Sequence, residues 1–345
     1  MTGKTVNLAL QGGGAHGAFT WGVLDRLLED GRLHIEAVSG TSAGALNAVA
    51  LADGMTRGGI DAARQCLHDL WRAVSDVVNW SPIHRAPLDI FMGNWSLDYS
   101  PGFWWSEMMS RMTSPYFFNP LDYNPLRDIV DSKVDFDCVR RCDSLKLFIS
   151  ATNVETGRVK VFDHRELTLD MVMASACLPM IFKAVEVDGV PYWDGGYMGN
   201  PSLFPFNRAT HSADIVIVQI NPVERKGTPT TVQEIMNRIN EITFNSSLLR
   251  ELRAIDFVRR LVDDGKLDDG DYRKLHVHII QNQEKLNPLG ATSKLNAEWK
   301  FLKHLHDVGR DTASQWLDEH FYRIGKESTV DLQAMFQGIG AEHHG

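Results

Sequence analysis

Apolar residues fall along this chain in two alternating rhythms. Short apolar runs at 6–11, 34–39, 145–152, 159–162, 185–187, 215–220 and 275–281 have the length and β-branched content of buried strands. Between them apolar positions recur at helical spacing, as in Trp21, Leu24, Leu27 and Leu28 within 18–28, and again over 43–52, 61–75, 168–176, 232–262 and 298–321. Strands alternating with helices predict a three-layer α/β/α fold with a mostly parallel central sheet, covered by helices on both faces.

One region breaks the alternation. Residues 80–124 are dense in aromatics, methionines and prolines and read as too irregular for sheet or long helix. The pattern predicts an aromatic-rich cap inserted at about 78–135. Two readings stand: satellite core, or a lid whose rigid aromatics and adaptable methionines face an apolar ligand. The expected organisation is one domain over about 5–325, with a C-terminal tail at 326–345.

Composition narrows the function classes. At 345 residues, 43% hydrophobic and 23% charged, the chain is of ordinary globular type. A formal charge of −9 with no basic stripe argues against a nucleic-acid partner. Four cysteines, of which only Cys138 and Cys142 are close, point to buried reduced thiols. The first residues hold no signal-like apolar segment, and no window approaches the roughly 20 apolar residues of a membrane span. The expectation is a soluble cytoplasmic protein.

The chemistry is carried by short motifs. Gly40-Thr41-Ser42-Ala43-Gly44 fits G-x-S-x-G between a strand run and a helix run, the context that presents a serine nucleophile on a strained elbow. Earlier, Gly12, Gly13, Gly14 and Gly17 form a glycine loop after the first strand. Gly12, Gly14 and Gly17 also satisfy G-x-G-x-x-G, but the acid expected about 20 residues on to hold a ribose is not at a strand end, because Glu36 precedes an apolar stretch that runs into Ser42. A glycine loop and a serine elbow on adjacent strands suit acyl transfer, with amides of Gly13, Gly14 and Ala43 facing the developing oxyanion.

The base is less obvious. Of thirteen histidines, the pairs His276/His278, His304/His306 and His343/His344 lack a third ligand close in sequence and read as ordinary histidines, so no metal and no cofactor is implied. One acid does leave a strand into a glycine turn: Asp194, followed by Gly195 and Gly196. It is either a turn aspartate or a base at the sheet's edge.

Taken in order, the glycine loop 12–17, the G-x-S-x-G at 40–44 and the D-G-G at 194–196 resemble the patatin-like phospholipases. Residues 174–182, ASACLPMIF, are similar to the helix-then-proline segment that precedes the Asp in bacterial members. The resemblance covers about residues 5–220. It implies a Ser42–Asp194 dyad in which Asp194 takes the proton without a histidine, and a lipid acyl ester as substrate. One departure stands out: the family usually carries Arg or Lys where this chain has His16, an imidazole mostly neutral at pH 7 unless local anions charge it. That leaves phosphate-headgroup recognition open. The alternatives are a thioesterase or polyester-oligomer hydrolase on the same dyad, and a lipid-binding scaffold with little turnover. Helical residues 243–262 carry Arg250, Arg253, Arg259 and Arg260 and read either as a helix packed on the core or as a peripheral membrane contact.

Overall fold

An uninterrupted apolar run forms a stable strand only where both of its faces are covered. The first strand, β1 (Lys4–Leu10), meets that condition, since its last five residues are buried. With β2 (Leu33–Gly40), β3 (Lys146–Asn153), β4 (Val159–Asp163), β5 (Val185–Val187), β6 (Val190–Asp194), β7 (Asp214–Val218) and β8 (His276–Ile280) it builds one sheet. The order is β5-β6-β3-β2-β1-β7-β8, with β4 also paired to β3. The pairs β1–β2, β1–β7, β2–β3 and β7–β8 are parallel, while β4, β5 and β6 add an antiparallel edge. The computed structural model describes residues 3–78, 84–267 and 273–337. The end of the expected tail, with His343 and His344, and residues 79–83 at the start of the expected cap lie outside the described residues.

Side chains alternate across a strand, and the two faces of β1 accordingly feed two separate cores. Leu8 and Leu10 join the larger core with Val38, Val49, Leu147, Ile149 and Phe301. Ala9 points the other way, to a smaller core of Ala37, Phe148, Phe206, Ile215, Leu248 and Leu252. Helices cover both, which makes the fold a mixed α/β sandwich with a mostly parallel sheet. α1 (Gly17–Asp30) and the helix Trp299–His320 pack together on the first face. α2 (Ala43–Val78) continues well past the helix expected at 43–52, through a break at Gly58 and Gly59, into the one expected at 61–75.

The aromatic insertion is more regular than its sequence suggests. It holds the helices Pro87–Phe91, Pro101–Met112 and Pro115–Phe118, and Pro125–Lys133 follows. Each starts on a proline, a residue pre-set for the first helical turn where its missing N–H is not needed. The prolines that look like interruptions are helix starts. Ile129, Val130 and Val134 belong to the larger core, so the chain rejoins the main body before residue 135. Many cap side chains face outward, among them Phe91, Trp105, Met112, Phe117 and Leu121. Two seams hold the cap down. Arg85 binds Glu298 and Trp95 stacks on Phe301, while Lys183 Nζ donates to the Pro120 carbonyl.

Three other expectations are corrected or refined. Cys142 and Cys177 are buried, but Cys66 and Cys138 are only partly so, because both lie near the outer surface of α2 and its neighbours. His276 and His278 flank Asp214 at the start of β7 and β8, where His278 Nε2 lies 2.9 Å from its carboxylate. In the helix Val232–Asp263, Leu248 and Leu252 are buried in the smaller core, and Arg260 pairs with Asp256. Most of its exposed apolar residues, Val232, Ile235, Met236, Ile239 and Ile242, lie before the arginine-bearing stretch, and Phe257 lies within it.

Candidate active site

Parallel strands deliver their C-terminal ends to one edge of a sheet, and loops leaving that edge are where α/β proteins gather chemistry. Here β1 ends into the glycine loop and β2 ends into Ser42. β6 runs antiparallel beside β3, with Asp194 opposite Ala151, two residues beyond the Ile149 that faces Gly40 of β2. This register brings Asp194 level with the elbow. All three motifs therefore converge, although 152 positions separate Ser42 from Asp194.

Ser42 has φ 53°, the left-handed conformation that a residue with a Cβ adopts at a cost of roughly 1–2 kcal/mol. Surrounding hydrogen bonds hold it there. Ser42 N–H donates to Ser175 Oγ at 2.9 Å, Gly44 N–H to the Thr41 carbonyl at 2.8 Å, and Thr41 Oγ1 to the Gly199 carbonyl at 2.6 Å. α2 begins at Ala43, so the positive dipole end of the helix lies at the serine.

The glycine loop is anchored from outside its own segment. Gly12 N–H donates to Asn200 Oδ1 at 2.7 Å, and Asn221 Nδ2 donates to the Gly12 carbonyl at 2.7 Å. This leaves the amides of Gly13 and Gly14 without a protein acceptor among the described residues. Gly14 has φ +58°, and a Cβ there would lie 2.4 Å from the Lys294 carbonyl oxygen. Only glycine fits.

Asp194 is fully buried. Its Oδ1 accepts the Gly196 N–H at 2.7 Å, and its own N–H and carbonyl are tied to the Cys177 carbonyl and Thr152 Oγ1. Burial pushes its pKa up to about 6, against the opposing pull of the Gly196 N–H, the Ser42 hydroxyl and the Lys294 charge. Oδ2 makes no hydrogen bond of ordinary geometry. The serine hydroxyl is thus near enough to act on the carboxylate without being closely bonded to it, and such contacts commonly tighten only when substrate binds.

His16 is buried beneath the loop, with Nε2 2.7 Å from Ser293 Oγ. Burial, with Lys294 and Arg225 nearby, lowers its pKa to about 3, so it is neutral at any working pH. A cation reaches the loop from another segment: Lys294 Nζ donates to Asn221 Oδ1 at 2.7 Å. Glu36, the acid weighed for a ribose, accepts the amides of His211 and Ser212 and is already occupied. Sequence motifs pointed to neither Asn221 nor Lys294, because each reaches the loop from a segment with no signature of its own.

The family model for patatin-like phospholipase matches residues 8–207. This chain belongs to the patatin-like phospholipase family. Membership supports lipid hydrolysis in general terms. Among solved structures, VipD from Legionella pneumophila is 16% identical with a TM-score of 0.39, the match covering 91% of this patatin-like chain and 67% of VipD. ExoU from Pseudomonas aeruginosa, solved in complex with SpcU, is 17% identical with a TM-score of 0.34, covering 92% of this chain and 53% of ExoU. The patatin-like chain thus spans about two thirds of VipD and about half of ExoU. No curated protein sequence matches it. Among the described residues, no helix is long and apolar enough to cross a membrane.

Proposed function

We propose that this protein is a serine acyl hydrolase of lipid esters that works through Ser42 and Asp194. The observation that carries the reading is the pairing of a strained, partly exposed serine with a fully buried carboxylate whose Oδ2 has no other partner. Ser42 Oγ attacks the acyl carbonyl while Asp194 accepts its proton. The carbonyl oxygen becomes an oxyanion facing the amides of Gly13, Gly14 and Ala43. As the intermediate collapses, the proton passes from Asp194 to the departing alcohol, which leaves an acyl-serine. Asp194 then takes a proton from water, which attacks the ester, and passes that proton to Ser42 Oγ as the acid is released.

An ordinary aspartate, with a pKa near 3.9, is a weak base for an alcohol. At about 6 the Asp194 carboxyl is more basic by roughly two units yet still mostly ionised at pH 7. The pH profile of kcat/KM on a neutral ester is therefore expected to rise through a single acidic limb near pH 6. A limb below pH 5 would mean that the base is another group.

The outward-facing apolar residues of the cap suit an acyl chain or a lipid surface as the substrate's source. Hydrolysis of p-nitrophenyl esters of increasing chain length, in EDTA, tests the assignment together with labelling by a fluorophosphonate. The rate is expected to rise with chain length, and both label and turnover should disappear in Ser42→Ala. A protein that neither cleaves esters nor takes the label at Ser42 would be a lipid-binding member of the family instead.

A further inference from the structure

We propose that Lys294 is the anion-binding residue of this site, its ammonium receiving the phosphate of a substrate headgroup while the adjacent acyl carbonyl meets Ser42. The inference rests on the acyl-transfer reading of Ser42 and Asp194, and it adds a basis for choosing among esters.

Position comes first. Lys294 lies in the short 3-10 helix Ala291–Leu295, far outside the family-matched residues 8–207. Its carbonyl abuts Gly14, and its Nζ binds Asn221, which in turn holds the Gly12 carbonyl. On the other side Nζ lies 5.8 Å from the Phe244 ring centroid, and Phe244 packs against Gly196 so closely that a Cβ there would come within 2.3 Å of it. The ammonium is thus wedged between the loop that offers oxyanion donors and the turn that carries Asp194. The carboxylate senses it, as does His16.

Charge balance comes second. Lys294 has no carboxylate within ion-pair distance among the described residues. The acid facing it, Glu241, is already held by Arg225 at 2.7 Å and by Arg238 at 3.3 Å. Arg225 is further fixed by the carbonyls of Asn287 and Leu289. Three cations crowd around Glu241 at this rim, Asp194 is the other carboxylate that acts on Lys294, and the ammonium itself is anchored by a neutral amide. A partly buried charge without a counterion is unfavourable, and burial accordingly lowers the Lys294 pKa to about 8. An incoming phosphate would supply the missing charge and accept the N–H groups that Asn221 leaves over. His16, neutral and bonded to Ser293, cannot.

The test compares dihexanoylphosphatidylglycerol with the neutral dihexanoylglycerol, both below micelle-forming concentration. In Lys294→Gln, the ratio of kcat/KM for the phospholipid over that for the neutral ester is expected to fall about 10–100-fold, mostly through KM, as for the loss of a charged hydrogen bond. Lys294→Arg should keep most of the preference, which separates loss of charge from loss of fold. Equal losses on both esters, or an unchanged ratio, would overturn the assignment. A binding arm in the Ser42→Ala protein stands apart from turnover. There the phospholipid should bind more weakly once Lys294→Gln is added, and inorganic phosphate should compete for the site. Phosphate that binds without displacing the lipid would mean a free-anion site and would sink the headgroup role. If wild type cleaves neither ester while Lys294-dependent phospholipid binding persists, the Ser42–Asp194 chemistry fails and the anion site stands.

Discussion

Asp194→Asn is expected to lower kcat for ester hydrolysis by about 10²–10⁴-fold, the usual worth of a positioned base, while leaving the protein more stable at pH 7. The two effects share one cause. The folded-state pKa of Asp194, about 6, lies above the unfolded value of 3.8, so the native state binds this proton more tightly than the unfolded chain does. Its contribution to stability is fully present below pH 3.8 and is lost as pH rises through about 6. At pH 7 the buried carboxylate therefore costs about 3 kcal/mol. Asparagine cannot ionise and escapes that cost. Its amide would take the place of Oδ2, which has no partner, and an unpaired buried donor costs about 1–3 kcal/mol. The net gain should be about 1 kcal/mol at pH 7 and should vanish near pH 4. Urea denaturation at the two pH values, alongside kcat, reads both effects. A variant that keeps its rate would remove Asp194 as the base. A variant destabilised at both pH values would make it a structural turn residue.

The second large effect is expected at the glycine loop. Gly14→Ala must tolerate a positive φ and a Cβ directed at the Lys294 carbonyl, a backbone atom that cannot swing aside. The loop has to move, and with it the amides of Gly13 and Gly14. Loss of one oxyanion donor typically lowers kcat about 10²–10³-fold. Gly31→Ala supplies the control. Gly31 has φ +69°, but nothing lies within 4 Å of its would-be Cβ, so it imposes similar backbone strain without the collision. That variant should lose about 1 kcal/mol of stability and keep its activity. If Gly14→Ala turns over p-nitrophenyl butyrate within a few-fold of wild type, the oxyanion is stabilised elsewhere.

Much of this fold can be read directly from the chain, and particular residues show why. β1, β2, β3, β7 and β8 are short apolar runs because both faces of each are covered, a local pattern that does not depend on knowing the partners. The elbow is equally local: glycines at 40 and 44 around Ser42, between a strand and a helix. The cap was harder to read, since Pro87, Pro101 and Pro115 resemble breaks in a pattern when they are in fact first residues of helices. Polar residues that complete the candidate site were the least visible. Asn200, Asn221 and Lys294 act through single contacts to a loop some 190 to 280 positions earlier, and no spacing rule connects residues that meet only after folding.

The strand order has a practical consequence for anyone wishing to work with a smaller piece of this protein. β1 sits in the middle of the sheet, paired to β2 on one side and to β7 on the other, and β7 and β8 lie beyond the family-matched residues. Cutting the chain at residue 207 would strip the hydrogen-bonding partners from Asn7 to Leu10, turn the sheet's centre into a bare edge, and uncover the face of α1 that the helix Trp299–His320 conceals. A bare apolar edge is a template for pairing with other chains. The stretch that identifies the family is therefore not a unit that can be expressed alone, and such a fragment belongs in inclusion bodies rather than in an assay.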